Sequence, residues 1–336
     1  MRRGDDMKQR IALLYGGASS EHEVSLSGYK YVSELLKESK YEILPLYISR
    51  AGDWFVGDEN GTIAHLSSAF GGGIYTGERF IRIDAAIPLL HGEGGEDGSL
   101  QGALEIAGIP YVGADTSTSA VCLDKFYTKR VLASLGIPTL DSVSFSVATD
   151  TRDALKLCEE RLGFPMFIKP RRLGSSVGAY PVYDEEDFLV KFPLSMKIGR
   201  NLVIAEKMSL CKREIEVAFC EMGVKRILTA PGEILIDGFY GYDEKYGGKT
   251  AVMPKADIDS HTVEKILKYA KIITEALSLR HLARIDFFLS DEGIFFNEVN
   301  TFPGFTSESL YPKMLTAAGI NPRDALISFV EDAISC

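Results

Sequence analysis

The residues with most chemistry in them sit on two short stretches near the end of the chain. Arg284-Ile285-Asp286-Phe287-Phe288-Leu289-Ser290 and Ile294-Phe295-Phe296-Asn297-Glu298-Val299-Asn300 flank Asp291-Glu292-Gly293. Alternating runs around a short Gly-containing loop read as a hairpin. With Ser290 opposite Ile294, Asp286 falls opposite Glu298 and Arg284 opposite Asn300. Side chains two apart share a face, so Asp286, Glu298 and Asn300 meet on one side, with Ile285, Phe287, Leu289 and Val299 on the other. Two carboxylates this close repel unless a cation lies between them, and an all-oxygen set suits Mg²⁺ rather than zinc. The same register puts Phe288 and Phe296 on the carboxylate face, which suits a closed pocket; the alternative is an exposed sheet face with ordinary polar alternation.

Three further segments carry potential chemistry. Lys169-Pro170-Arg171-Arg172-Leu173-Gly174-Ser175-Ser176-Val177-Gly178 places a Gly and Ser loop after a lysine. Such a loop can turn backbone N–H groups and hydroxyls onto an anion, as a flap over phosphates, or be a solvated turn with incidental basic residues. Asn300-Thr301-Phe302-Pro303-Gly304-Phe305-Thr306-Ser307-Glu308-Ser309-Leu310 is a Pro-Gly turn before a helix, able to offer N–H donors to an oxyanion or carboxylate, or simply a turn and cap. His91-Gly92-Glu93-Gly94-Gly95-Glu96-Asp97-Gly98 and Gly16-Gly17-Ala18-Ser19-Ser20-Glu21-His22-Glu23-Val24 each follow an apolar strand, so both belong to the rim where α/β sheets bind ligands. A lone His91 is as readily structural as functional.

Two familiar nucleotide signatures fail. Gly248-Lys249-Thr250 would end a P-loop only with Gly at position 243, which is Asp243, and neither glycine-rich rim loop completes the dinucleotide pattern.

The elements that must position these groups follow from periodicity. Ile11 to Tyr15, Tyr41 to Ile48 and Asp84 to Leu90 read as strands, with helical spacing from Val24 to Leu36 and from Leu100 to Ala107, giving an N-terminal α/β layer. Ser119 to Leu135 reads as one helix stopped by Gly136 and Pro138. Beyond it come short strands at Met166 to Lys169, Ala179 to Tyr183, Leu202 to Lys207, Glu214 to Glu221 and Lys225 to Ala230. Helices at Arg152 to Arg161 and Glu185 to Lys191 interrupt them, an α+β pattern. Helices at Thr262 to Leu277, Pro312 to Ala318 and Pro322 to Ile334 frame the hairpin, and Phe70-Gly71-Gly72-Gly73-Ile74 marks a mobile loop. The expected divisions are a lead-in over 1–9, an α/β domain over 10–117, a central part over 118–210 and a C-terminal part over 211–336.

Composition excludes several classes. Over 336 residues, 46% hydrophobic and 25% charged is ordinary for a folded chain, and a net charge of −10 opposes a nucleic-acid partner. The five cysteines are odd in number and form no C-x-x-C, so they read as reduced thiols of a cytoplasmic protein. No signal peptide is visible at the start, where Met7 is an alternative initiator, and no apolar run is long enough to span a membrane.

Together these segments resemble the ATP-grasp superfamily, and within it the D-alanine:D-alanine ligases. The resemblance rests on Gly16-Gly17 with Glu21, Glu23, Val24 and Ser25, on His91 to Gly98, and on Lys169-Pro170 with Gly174 to Gly178. It also rests on Glu244-Lys245-Tyr246 and on Arg284-Ile285-Asp286 with Asn297 to Gly304, and it runs from about Ile11 to Asp332. It implies an N-terminal Rossmann-like α/β domain followed by an ATP-grasp fold. It also implies ATP as substrate and Mg²⁺, two ions with Mn²⁺ able to substitute, on Asp286, Glu298 and Asn300. By motif position, Lys125, Lys169, Lys245, Ser175 and Ser176 hold phosphates, while Glu206, Met208, Glu214, Phe288 and Asn297 meet the rest of the nucleotide. Glu21 holds the ammonium of a first D-alanine, supported by His91; Arg284 and the Gly304 N–H stabilise an oxyanion; Ser309 and Leu310 receive the carboxylate of a second D-alanine. Glu21, Ser175 and Tyr246 form a set that closes the site and relays a proton. Further implications are a D-alanyl phosphate intermediate, peptidoglycan precursor synthesis and a homodimer. The alternatives are D-serine or D-lactate as second substrate, with Tyr246 arguing against lactate, and a non-catalytic ATP-binding regulator.

Overall fold

The computed structural model describes residues 8–146, 149–208, 213–235 and 251–335. β1 (Arg10–Gly16) is apolar and buried after its first residue, as a strand covered on both faces must be. It pairs in parallel with β2 (Glu42–Ile48), onto which β3 (Trp54–Val56) and β4 (Thr62–Ile63) add antiparallel. β5 (His65–Ser67), β6 (Gly73–Thr76) and β7 (Arg79–Arg82) make a separate antiparallel sheet, and β8 (Ala85–Pro88) pairs with the other edge of β1. The main sheet therefore runs β4-β3-β2-β1-β8. The helices His22–Leu36 and Ser99–Ala107 cover it as the α/β pattern requires.

The expectation of a mobile loop at Phe70 to Ile74 is corrected. A 3₁₀ turn at Ala69–Gly71 leads straight into β6, and Gly72 (φ 100°) is packed so closely that a Cβ there would lie 2.6 Å from the Gly108 carbonyl oxygen. Gly71 and Gly72 answer left-handed backbone, and Gly72 a close approach as well.

The helix expected over Ser119 to Leu135 is two, Thr116–Leu123 and Lys125–Ser134, broken at Asp124 in an extended conformation (φ −84°, ψ 95°). The Asp124 carboxylate accepts the Tyr127 N–H and pairs with Arg171 and Arg172, so the break is held by both a cap and buried charge. β9 (Ser142–Phe145), β10 (Met166–Pro170), β11 (Tyr180–Val182) and β12 (Val203–Lys207) form an antiparallel sheet in the order β11-β10-β12-β9. Its core packs against the helices Thr151–Arg161 and Glu185–Ile198, the latter running on through Pro193.

β13 (Arg213–Met222), β14 (Lys225–Leu228), β15 (Gly232–Leu235), β16 (Ala251–Met253), β17 (Leu282–Ser290) and β18 (Gly293–Asn300) form the third large sheet. Its order is β16-β15-β13-β17-β18, with β14 on β13. Ile215, Val217, Phe219, Ile285, Phe287 and Phe296 build its core beneath the helix Ser260–Ala276. The helices Leu310–Ala317 and Pro322–Ser335 share one apolar core with β1 and the helix His22–Leu36. That core fixes the N-terminal rim relative to the hairpin.

Candidate active site

The hairpin forms, with a correction. Arg284, Ile285 and Asp286 stand opposite Asn300, Val299 and Glu298 as expected, but nearer the turn Phe287 pairs with Phe296 and Ser290 with Gly293, not with Ile294. The turn holds two residues, Asp291-Glu292, and a bulge at Asn297 restores the register, so two one-residue offsets cancel at the carboxylates. The bulge turns Phe296 into the core, 1% exposed and edge-on to Phe287, while Phe295 takes the place opposite Phe288. The expected pairing of Phe288 with Phe296 on the carboxylate face is therefore wrong. Phe296→Ala is expected to cost about 3–5 kcal/mol in urea unfolding and Phe295→Ala clearly less; equal costs would contradict the bulge. The Oδ1 of Asn297 is buried and finds no hydrogen-bond partner among the described residues.

Arg284 is the electrostatic centre of this face. Its Nε and Nη2 donate to Asp286 Oδ1 and Oδ2, both at 2.8 Å, Nε lies 3.0 Å from Glu216 Oε2, and Asn300 Nδ2 donates to Asp286 Oδ2 at 3.0 Å. Burial works against the guanidinium charge, but the Asp286 and Glu216 carboxylates outweigh it and hold its pKa well above the ordinary value. Glu216, opposite Asp286 on β13, has no part in the sequence reading; its signal is a carboxylate amid an apolar strand. Asp124 starts a helix that brings Lys125 to the same place, where its ammonium lies 3.2 Å from Glu298 and donates to the Leu173 carbonyl of the flap at 2.8 Å.

Glu21 closes the cleft from the N-terminal rim. Ser175 Oγ donates to its Oε1 at 2.6 Å, and a Cβ at Gly92 would lie 3.0 Å from its Oε2, so the rim glycine makes room for the carboxylate. Ser175 and Ser176 adopt left-handed φ of 53° and 56°, which curls the flap over this point. The cavity there is lined by Glu21, Glu96, Lys125, Ser175, Glu298 and Asn300. Glu21 and Ser175 thus meet, while Lys245 and Tyr246 lie outside the described residues.

His91 is buried beside Phe302, and burial lowers its pKa while Glu21 pulls it back up. Glu96 accepts the Gly92 N–H at 2.8 Å and the Phe302 N–H at 3.3 Å, tying the rim to the turn that carries Gly304. Burial, then the Glu21 charge, push its carboxyl up to about 8. In the sequence Glu96 is one more acid of the His91 to Gly98 motif, with nothing there to mark it for a role. Thr306 and Ser309 exchange N–H to Oγ bonds at the start of the helix Leu310–Ala317, whose Leu310 side chain enters the core. A Cβ at Gly304 would lie 3.1 Å from Ser309 Oγ.

Deeper in, Glu206 on β12 pairs through both oxygens, with Lys169 at 2.6 Å and with Lys129, another residue the sequence reading passes over. Burial opposes its charge, yet the two lysines hold its pKa down at about 2; burial in turn pulls Lys129 down to about 8. Met208 follows β12, its N–H donating to the Pro165 carbonyl, and Glu214 stands opposite Phe288 across β13 and β17, both half-buried.

A serine-rich flap from one antiparallel sheet, laid toward a hairpin bearing an arginine, two carboxylates and an asparagine, defines an ATP-grasp ligase. The "D-ala D-ala ligase N-terminus" family model matches residues 10–114 and the "D-ala D-ala ligase C-terminus" model residues 131–331. The chain belongs to the D-alanine–D-alanine ligase family. It is 38% identical to the D-alanine–D-alanine ligase of Thermoanaerobacter sp. (strain X514) over 93% of this chain and 92% of that one. To D-alanine–D-alanine ligase A of Escherichia coli (strain K12) it is 33% identical, over 97% and 96%. The crystal structure of D-alanyl-alanine synthetase A from Vibrio cholerae superposes with a TM-score of 0.89 at 34% identity, covering 98% of this chain and 99% of that one. The VanG D-Ala:D-Ser ligase from Enterococcus faecalis gives 0.86 at 33%, covering 97% and 100%. Among the described residues no helix is long and apolar enough to cross a membrane.

Proposed function

We propose that this site joins two D-alanines at the expense of ATP through a D-alanyl phosphate, supplying D-alanyl-D-alanine for peptidoglycan precursors in the cytoplasm, as a homodimer. What supports this best is the meeting of three distant stretches at one cleft: Glu21 from the rim, Ser175 from the flap, and the Arg284, Asp286, Glu298 and Asn300 set from the hairpin. Lys125, Lys169 and the Ser175-Ser176 loop, with Lys245, are the groups for the phosphates. Glu206, Met208, Glu214, Phe288 and Asn297 surround the nucleoside part.

Asp286 and Glu298 face each other across the hairpin with Asn300 two residues beyond, and their carboxylates and the Asn300 amide would offer only oxygen to a metal. Their chemistry fits Mg²⁺, and Arg284 and Lys125 balance the carboxylates. When bound, Mg²⁺ would neutralise charge on the transferring phosphoryl group.

In the first step the carboxylate of one D-alanine attacks the γ-phosphorus and ADP leaves. In the second, the amine of the other D-alanine attacks the acyl carbon, and phosphate leaves with the C–O electron pair. Glu21 pairs with the first ammonium, near His91, and Ser309 and Leu310 stand at the helix start suited to the second carboxylate. Arg284 and the Gly304 N–H would stabilise the tetrahedral oxyanion. The attacking amine must be neutral, and Glu21, Ser175 and Tyr246 are the set that takes its proton.

The test is ATP- and Mg²⁺-dependent phosphate release with product mass. D-Alanine alone is expected to release phosphate and yield the dipeptide, and L-alanine to release none. With D-serine also supplied, a D-alanyl-D-serine product in preference to the D-alanine dipeptide would instead place the chain with the VanG D-Ala:D-Ser ligase, whose TM-score of 0.86 makes serine the second reading.

A further inference from the structure

The Glu206 carboxylate is 2% exposed, and its two oxygens are divided between Lys129, also 2% exposed, and Lys169, 12% exposed. Lys129 follows Lys125 by four residues on the helix Lys125–Ser134, so both ammonium groups leave one helical face, while Lys169 comes from β10 and Glu206 from β12. The three buried groups sum to one positive charge. Of the two lysines only Lys169 has appreciable access to solvent, so the surplus can be presented to an anion through that side chain alone. We infer that Lys129 is a positioning residue for the nucleotide: by neutralising Glu206 from behind, it leaves the Lys169 charge available to the phosphates of ATP. The inference rests on the reading of Lys169 as a phosphate ligand given above.

The alternative arrangement shows why a second lysine is needed. Without Lys129, the carboxylate and Lys169 form a neutral pair. Charges this close in a weakly polar interior attract strongly, and each phosphate contact would have to pull Lys169 off its partner. An apolar residue at 129 therefore weakens triphosphate binding without touching the ligand, and removing the Glu206 charge as well releases Lys169 again. A lysine that merely supported the helix would show neither dependence on phosphates nor recovery.

The experiment measures dissociation constants for a nonhydrolysable ATP analogue with Mg²⁺, and for adenosine, by calorimetry on the whole protein. Lys129→Met is expected to weaken the triphosphate about tenfold or more while leaving adenosine within about twofold, tenfold being about 1.4 kcal/mol. Glu206→Gln alone serves as the reference for the carboxylate's own part in nucleotide binding; in that background Lys129→Met is expected to cost the triphosphate less than about threefold, and Lys129→Arg, which keeps the charge, to bind nearly as the parent does. Equal weakening of adenosine and triphosphate, the full Lys129→Met loss persisting in the Glu206→Gln background, or unchanged triphosphate binding in Lys129→Met would each overturn the inference. If the parent protein bound no triphosphate, the ATP reading itself would fall and carry this inference with it.

Discussion

Arg284→Met is expected to lower kcat for phosphate release with D-alanine by about 10²–10³-fold, because it removes the side-chain cation that the proposed function assigns to the developing oxyanion. The same change takes the guanidinium from between Asp286 and Glu216, two buried carboxylates that it contacts at 2.8 and 3.0 Å. Breaking a buried pair by deleting one partner typically costs about 3–5 kcal/mol, so the unfolding midpoint in urea should fall as well. The two effects separate with Arg284→Lys. Lysine keeps the charge but cannot make the paired bonds to Asp286 Oδ1 and Oδ2, so it should recover much of the stability and little of kcat. A kcat reduced less than about tenfold in Arg284→Met, with the stability loss intact, would assign the arginine to scaffolding alone.

How much of this was legible beforehand differs residue by residue. The facing of Asp286 and Glu298 came out right because the turn offset and the bulge cancel, while the shared side of Arg284 and Asp286 on one strand could be read from alternation. The bulge at Asn297 could not, because Phe295 and Phe296 are adjacent and either one satisfies an apolar position in the core. β3 to β7 were missed because runs of two to four residues are too short to show a period. The helix break at Asp124 carried a visible sign, an N-cap residue inside an apparently continuous helix, and it sets the start of the turn that brings Lys125 to Glu298 and the flap. Lys129 and Glu216 were illegible for a different reason. A lone charge on a helix or strand reads as a solvated position, and only the fold shows that each is buried against an opposite charge contributed by a segment far along the chain. Charges that support the site from behind are therefore the part a single sequence hides best.

Glu96→Gln is expected to flatten the pH dependence of stability. The carboxyl rises from an ordinary 4.5 to about 8 in the folded chain because burial and the neighbouring Glu21 charge both disfavour ionisation. The folded state thus holds a proton that the unfolded state has released over that interval, so the stabilisation from this group is complete below about 4.5 and is lost as pH rises toward 8. Integrated over the interval this reaches several kcal/mol at about 1.4 kcal/mol per pH unit, an upper bound because the Gly92 and Phe302 N–H groups relax around the anion. Glutamine cannot ionise, keeps an acceptor for one N–H, and should leave the variant more stable than the parent at pH 8 to 9 and close to it at pH 5. The measurement is urea unfolding of both proteins across that range. Parallel stability curves would mean that Glu96 is ionised throughout, held as an anion by the two N–H donors. In that case the link between the His91 loop and the Gly304 turn is a charged one, and the ammonium that the proposed function assigns to Glu21 would sit beside a second negative charge.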